Sequence, residues 1–383
     1  MKHPWSPHQF AAKARQLGRT ETMISAAVGA GKSIKSSEPN LPVVLTLSHL
    51  AHLAEINPGA AYAYAARKWT IEPYRVFRLK KRPKRNSRAP ARGFRTICVP
   101  EPELMRLQRW IAQNILSRAT PHPRSFAFFP DRGILEAAQH HCNCRWLVKL
   151  DIQNFFDSIQ EHQCYKVFRS LGYGVLLSFE LARICTRGPN RPLQRNQIFP
   201  SDGRPYPCND EGHLPQGAPT SPALANMVVK ALDAKLVDIA EARGWVYTRY
   251  ADDLAFSTQA DSSRTEASKL IALAKAEIAR FGLELNASKT VVAPPGARRI
   301  VLGLLVDGEQ PRLTRSFRNN LETHLHALTK GAIGPERHRQ ARGFASLIGM
   351  RRHISGLLAF AHYVEPSYAA ACYAKFNSIS WPL

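Results

Sequence analysis

An α+β fold is predicted by three observations. Apolar residues recur at helical spacing along much of the chain, from Leu45 to Ala66, from Ser263 to Phe281 and again after Arg312. Strand-like stretches are short and come as neighbours, Tyr74–Leu79 with Phe94–Val99 and Trp245–Tyr250 with Leu254–Thr258. At 44% hydrophobic and 21% charged, 383 residues bury a sizeable core, which excludes wholesale disorder.

Lys and Arg number 53 against 29 Asp and Glu, a formal net charge of +24. Self-repulsion of that size opposes compaction, so a polyanionic partner is expected. No run of 18 apolar residues exists, so no membrane-spanning helix is expected. Met1-Lys2-His3-Pro4-Trp5 leads into no apolar run, so a cytoplasmic location is expected. Seven scattered cysteines fit reduced thiols. Cys142 and Cys144 lie beside His140 and His141 without the Cys-x2-Cys spacing of zinc sites, and a solvated turn or helix end is the better reading.

Residues 1–45 form an extension with one helix expected over Ser6–Val28. Gly31-Lys32-Ser33 imitates the tail of a phosphate-binding loop, but Ala26 stands where its first glycine belongs, and a loop is expected there. Ten Lys or Arg, with no acid, run from Arg75 to Arg95, a density that suits phosphate contact. A helix is expected over Glu103–Arg118, then a short apolar strand over Trp146–Ile152. Residues 186–213, rich in Arg, Pro, Asn and Gly, have the composition of an inserted loop. Ala218–Arg243 is expected as one long helix, Ser263–Phe281 as an amphipathic helix stopped by Gly282, and Arg299–Val306 as a strand. The remainder, Arg312–Ser380, is expected to be helical and basic.

Asp151 ends the apolar strand, and Ala251-Asp252-Asp253 separates the last strand pair. Carboxylates gathered at strand ends repel one another unless cations neutralise them. Two Mg2+ ions set against three carboxylates and a bound triphosphate would balance the charge and could serve a two-metal displacement. An Asp-Asp pair in a hairpin turn is the plain alternative for Asp252 and Asp253, but it leaves Asp151 unexplained.

Leu150-Asp151-Ile152-Gln153-Asn154-Phe155-Phe156-Asp157-Ser158-Ile159 resembles the first catalytic motif of reverse transcriptases. Leu214-Pro215-Gln216-Gly217-Ala218-Pro219-Thr220-Ser221-Pro222 and Tyr250-Ala251-Asp252-Asp253 resemble the next two, and Asn286–Thr290 and Val301-Leu302-Gly303 the two after. The Gln-Gly-x-x-x-Ser-Pro form and the Ala of Tyr-Ala-Asp-Asp resemble bacterial enzymes, most closely retron reverse transcriptases, and Gly356–Pro366 resembles their thumb. Two departures stand out. The Asn-Ala-x-x-His element of retron enzymes reads Ala137-Ala138-Gln139-His140-His141 here, and their Val-Thr-Gly reads Val301-Leu302-Gly303. Both elements are associated with the cognate structured RNA.

The resemblance implies a right-hand polymerase: extension 1–45, fingers with N-terminal helices 46–145, palm with an antiparallel sheet 146–306 and helical thumb 307–383. It implies Asp151, Asp252 and Asp253 as metal ligands with the Ile152 carbonyl, two Mg2+ ions with Mn2+ as substitute, and Phe156 as an aromatic gate selecting dNTP over rNTP. Arg95 would hold the triphosphate, and Gln216 and Gly217 would open the helix against which nucleotide and template rest. Lys289 would protonate pyrophosphate, with an ordinary surface lysine as the alternative. Tyr250, Leu302 and Gly303 would meet primer, and Lys81, Arg82, Lys84 and Arg85 the nucleic-acid backbone. The activity implied is RNA-directed DNA polymerisation on a dedicated structured noncoding RNA, giving retron DNA joined to RNA in antiphage defence. Partners implied are that RNA, its cDNA, dNTPs and a defence effector protein, with no membrane. The alternatives are a bacterial defence reverse transcriptase with another priming mode and a catalytically silent RNA-binding scaffold.

Overall fold

The computed structural model describes residues 5–68, 72–80, 94–188, 211–329 and 333–382. It divides into two compact units, Met1–Phe129 with Asp151–Leu236 and Ala274–Asn286, and Pro130–Leu150 with Val237–Leu273 and Ala287–Leu383.

The first unit opens with two helices where one was expected, α1 (Pro7–Gln16) and α2 (Glu21–Ser37). Gly18, at φ +68°, takes the left-handed turn that ends α1, and the Thr20 side chain caps α2 by accepting from the Met23 N–H. Gly31-Lys32-Ser33 therefore lies inside α2 rather than in a loop, and Gly31 is where Trp5 seats: a Cβ there would fall 2.3 Å from the indole. The Leu45–Ala66 span divides into α3 (Leu47–Leu53) and α4 (Pro58–Ala66), because the Asn57 side chain accepts from Gly59 N–H and Pro58 enters the first turn.

Strands β1 (Tyr74–Lys80) and β2 (Phe94–Pro100) pair antiparallel as expected, Tyr74 opposite Pro100 and Leu79 opposite Arg95. Helix α5 (Pro102–Asn114) ends short of Arg118, and Leu116–Arg118 continues as a tighter 3₁₀ turn. Helix α6 (Ile134–Gln139) and strand β3 (Trp146–Asp151) follow.

Helices α7 (Glu161–Ser170) and α8 (Val175–Cys185) pack in the first unit around a buried ionic cluster. Arg67, the left-handed C-cap of α4, places its guanidinium on the Glu161 carboxylate and donates to Thr186 Oγ1 at 3.0 Å. Arg183 donates from Nε to the Ala65 carbonyl at 2.5 Å and lies 3.7 Å from the same carboxylate. The helix expected over Ala218–Arg243 is instead two, α9 (Ser221–Val228) and α10 (Lys230–Glu241). Ala218 precedes Pro219, which disfavours helical backbone there, so the helix starts only at Ser221, with Pro222 in its first turn.

In the second unit β4 (Val246–Tyr250) and β5 (Asp253–Thr258) form a hairpin, α11 (Arg264–Arg280) follows, its residues from Ala274 belonging to the first unit, and β6 (Val291–Ala293) completes a four-stranded sheet in the order β4-β5-β3-β6. The strand expected over Arg299–Val306 is a miniature hairpin, β7 (Ile300–Val301) and β8 (Leu304–Leu305), to which β9 (Arg312–Leu313) adds. Four helices end the chain, as the basic C-terminal pattern implied: α12 (Arg315–Thr329), α13 (Gly334–Ala341), α14 (Leu347–Val364) and α15 (Pro366–Asn377). One apolar core spans both sheets and α12, α14 and α15, through Leu147, Ala255, Val301, Leu304, Leu325, Ile354, Leu358 and Cys372.

The six described cysteines are free thiols. Cys144 is buried rather than solvated, and burial pushes its thiol up to about 11.

Candidate active site

The β4–β5 connection is tighter than Ala251-Asp252-Asp253. Tyr250 pairs with Asp253, so Ala251 and Asp252 alone make the turn and Asp253 opens β5. Ala251 sits at φ +56°, the positive angle that lets a two-residue loop follow strand twist. Beneath it lies Arg249, fully buried, whose guanidinium donates to the Ala251 carbonyl at 3.2 Å. Sequence reasoning passed over Arg249. Its cue was a charged residue within an apolar strand, which is tolerated only when its donors are engaged.

Strand β3 lies next to β5. Arg145 N–H donates to the Thr258 carbonyl at 2.8 Å, so the start of β3 meets the end of β5 and the two run antiparallel. The far end of β3 then lies where β5 begins. The Lys149 ammonium, lowered in pKa by burial and raised by the Asp253 charge, reports the same proximity. Asp151, the last residue of β3, is buried at 4% exposure, while Asp252 is half-buried and Asp253 exposed.

In the first unit the chain beyond Asp151 is held by Asn286 N–H on the Asp151 carbonyl and Gln153 N–H on the Glu284 carbonyl, each at 2.8 Å. The bridge between Ile152 and Leu285 thus leaves the Ile152 carbonyl out of the ladder. Among the described residues no three His, Cys, Asp or Glu side chains form a preformed metal cage. The donor set still fits Mg2+, which takes hard oxygen ligands, retains waters and uses substrate phosphates. A carboxylate buried at the end of an apolar strand, as Asp151 is, is the kind of group that a cation stabilises.

The two phenylalanines of the first motif divide their roles. Phe155 is buried, whereas Phe156 is half-buried and edges Phe155 at 5.5 Å and Phe128 at 6.2 Å between ring centroids. Phe128, exposed and at φ +60°, was not singled out from the sequence. Arg95 is exposed on β2, on the face shared with Phe77 and Leu79.

Gln216 and Gly217 do not open a helix. They form a turn four residues ahead of α9, and the turn is fastened to β2: Cys98 N–H donates to the Gln216 carbonyl at 2.8 Å. Gly217 stands at φ +118°, where a Cβ would fall 3.0 Å from the Cys98 carbonyl oxygen and 3.1 Å from the Ile97 methyl. The glycine is therefore required by the strand behind it.

Leu302 and Gly303 form the β7–β8 turn with φ of +49° and +87°, both positive as a type I′ turn demands. Leucine is an unusual occupant there. Lys289 is exposed, at the end of a short 3₁₀ turn, and Tyr250 is half-buried. Lys81, Arg82, Lys84 and Arg85 lie outside the described residues. His141, in the element Ala137–His141, is fully buried, with Nδ1 2.7 Å from Ser257 Oγ and Nε2 2.7 Å from Thr248 Oγ1, so it braces the β4–β5 hairpin.

Residues 80–305 match the family model of reverse transcriptases, described as RNA-dependent DNA polymerases. The chain is similar to the retron Ec86 reverse transcriptase of Escherichia coli, 32% identical over 276 residues, 72% of this chain and 75% of that protein. It is similar at 30% identity to two Myxococcus xanthus proteins. The retron Mx162 reverse transcriptase matches over 74% of this chain and 58% of its own length, and the retron Mx65 reverse transcriptase over 86% and 70%.

Proposed function

Since the chain belongs to the reverse transcriptase family, as a retron-type RNA-directed DNA polymerase, we propose that it copies a dedicated structured noncoding RNA into single-stranded DNA at Asp151, Asp252 and Asp253. The observation that carries this reading is the sheet order, in which the strand ending at Asp151 adjoins the strand opened by Asp253.

In this reading Asp151 and Asp252 are the principal ligands, with Asp253 and the Ile152 carbonyl completing the set for Mg2+, or Mn2+ in its place. The bound ions would activate the attacking hydroxyl and stabilise the leaving pyrophosphate. The remaining roles fall to the chain itself. Arg95 offers a planar guanidinium for bidentate contact with the triphosphate. Phe156 places a ring edge beneath the sugar, where it excludes a 2′-hydroxyl. Lys289 donates a proton to the departing pyrophosphate. Tyr250 and the Leu302-Gly303 turn approach the primer strand. Residues 46–145 serve as fingers, 146–306 as palm and 307–383 as thumb.

The product would be DNA branched from an internal RNA 2′-hydroxyl, made in the cytoplasm as part of antiphage defence with an effector protein. Among the described residues no helix is long and apolar enough to cross a membrane. Asp252→Asn keeps the shape of the turn and removes a ligand charge. Extension of a primed RNA template with Mg2+ should collapse while RNA binding persists, and near wild-type extension would refute the site. For the branch, RNase followed by debranching enzyme should release DNA with a new free 5′ end. A free 5′ end before debranching would favour a different priming mode.

A further inference from the structure

The first unit carries an open groove of about 610 Å³, lined by Ser158 and Gln160, by α7, and by the ends of α9 and α11. That volume lies within the range of about 300–1,000 Å³ that small-ligand clefts span, room enough for a nucleotide. We propose that this groove binds an unpaired stretch of RNA, one nucleotide seated on Phe281 with its phosphates on Lys166 and Arg280. The proposal rests on the reading above that a structured RNA is the template.

Three features of the lining argue for this occupant. Lys166 and Arg280 contribute cations, the His162 ring is paired through Nδ1 with Glu211 at 2.5 Å, and among the described residues no carboxylate belongs to the lining. Lys166 is exposed and has no acidic partner among the described residues. Arg280 pairs with Glu277 at 2.5 Å, but its side chain is 73% exposed, so water screens the pair and a phosphate can take it over. Phe281 is half-buried at the C-terminal end of α11, where Gly282 at φ +76° turns the chain away. An aromatic ring beside paired cations is the arrangement by which proteins hold single strands with little sequence preference.

The groove is also connected to the chain that follows Asp151. Gln163 Nε2 donates to the Phe281 carbonyl at 3.5 Å, and four residues beyond Phe281 comes Leu285, which bridges Ile152. RNA held on Phe281 would thus be anchored to the segment that ends the catalytic strand. A protein ligand is the competing class. The cations Lys166 and Arg280 in the lining and the net charge of +24 favour the polyanion.

The test uses the full chain and a single-stranded 12-nucleotide oligo(U) carrying 4-thiouridine. Ultraviolet crosslinks should map to the peptides containing Phe281 or Lys166, and Phe281→Ala should reduce them about tenfold. K166Q combined with R280Q should lower the slope of log affinity against log salt by about 1.4, at about 0.7 per phosphate contact of a single strand. K166R with R280K should preserve the slope. None of these variants touches the carboxylates, so extension of oligo(dT) on poly(A) should stay within about twofold of wild type. Crosslinks confined to other peptides, or a slope unchanged in the glutamine variant, would overturn the groove and leave it to a protein partner. Failure of the wild-type chain to extend the primer would instead count against the polymerase site, since crosslinking does not depend on it.

Discussion

Phe156 and Phe155 are adjacent in sequence, yet one is an accessible edge and the other part of the core. If Phe156 gates the sugar, Phe156→Ala should raise incorporation of rNTP relative to dNTP on a primed template; an unchanged ratio would return the ring to a packing role. The two glycines of the candidate site make a sharper comparison. At Gly303 a Cβ meets nothing within 4 Å, so Gly303→Ala should cost only its backbone strain at φ +87°, about 1 kcal/mol of unfolding free energy. At Gly217 the same substitution adds a contact of 3.0 Å with the Cys98 carbonyl oxygen, so it should cost clearly more, about 2–3 kcal/mol. Denaturant titration of both variants checks the order, and equal losses would mean that the β2 contact yields freely. The Gln-Gly pair was legible from its motif. That Gly217 serves β2 was not, because the strand that crowds it lies more than a hundred residues earlier.

Among the elements, α7 and the C-terminal helices carry the ionisable groups whose removal or titration is most telling. Glu161 at the start of α7 holds both Arg67 and Arg183, all three buried or nearly so. Glu161→Leu would remove the one carboxylate that Arg67 and Arg183 share in the interior and should destabilise by about 3–5 kcal/mol. A melting temperature within a degree or two of wild type would show that the cluster is dispensable. In the C-terminal helices His324 of α12 and His338 of α13 are buried and hydrogen-bonded to each other at 2.8 Å, Nδ1 to Nε2. Burial, then the neighbouring charges of His338, Arg342 and His353, pushes His324 down to about 4, and His338 is lowered for the same first reason. The sign follows from proton binding. The unfolded chain, with an ordinary histidine near 6.5, takes up the proton more readily, so stability present above about pH 6.5 should fall as pH drops towards 4. The loss should be on the order of 2 kcal/mol, read as a melting temperature that declines between pH 7 and 5 and declines less in His324→Phe. The helices of this region were readable from apolar spacing, whereas the histidine pair was not, since its members lie 14 residues apart on different helices.

Over the whole molecule the charge of +24 predicts salt-sensitive association with a polyanion. A surface making roughly 6–10 phosphate contacts should lose about 10³–10⁵ in affinity between about 50 and 200 mM salt, and a flat response would assign the charge to solubility. Neutralising Lys81, Arg82, Lys84 and Arg85 together should lessen the slope. The sequence by itself determined the class of the protein, the α+β pattern, the paired strands and the polymerase motifs, because these are local: alternation, helical spacing and short motifs of fixed composition survive without knowledge of their neighbours. Its boundaries failed where local pattern competes with backbone geometry. Ala218–Arg243 has helical apolar spacing, but the proline after Ala218 delays the start to Ser221 and α9 ends before α10 begins. Arg299–Val306 has the composition of one strand, but positive φ at Leu302 and Gly303 folds it back on itself. Tertiary structure alone decided that His141 braces the hairpin, that Arg249 holds the Ala251 carbonyl and that β3 lies against β5. The physical reason is that burial and hydrogen-bond satisfaction belong to pairs of residues far apart in the chain, and only the folded sheet determines which pairs meet.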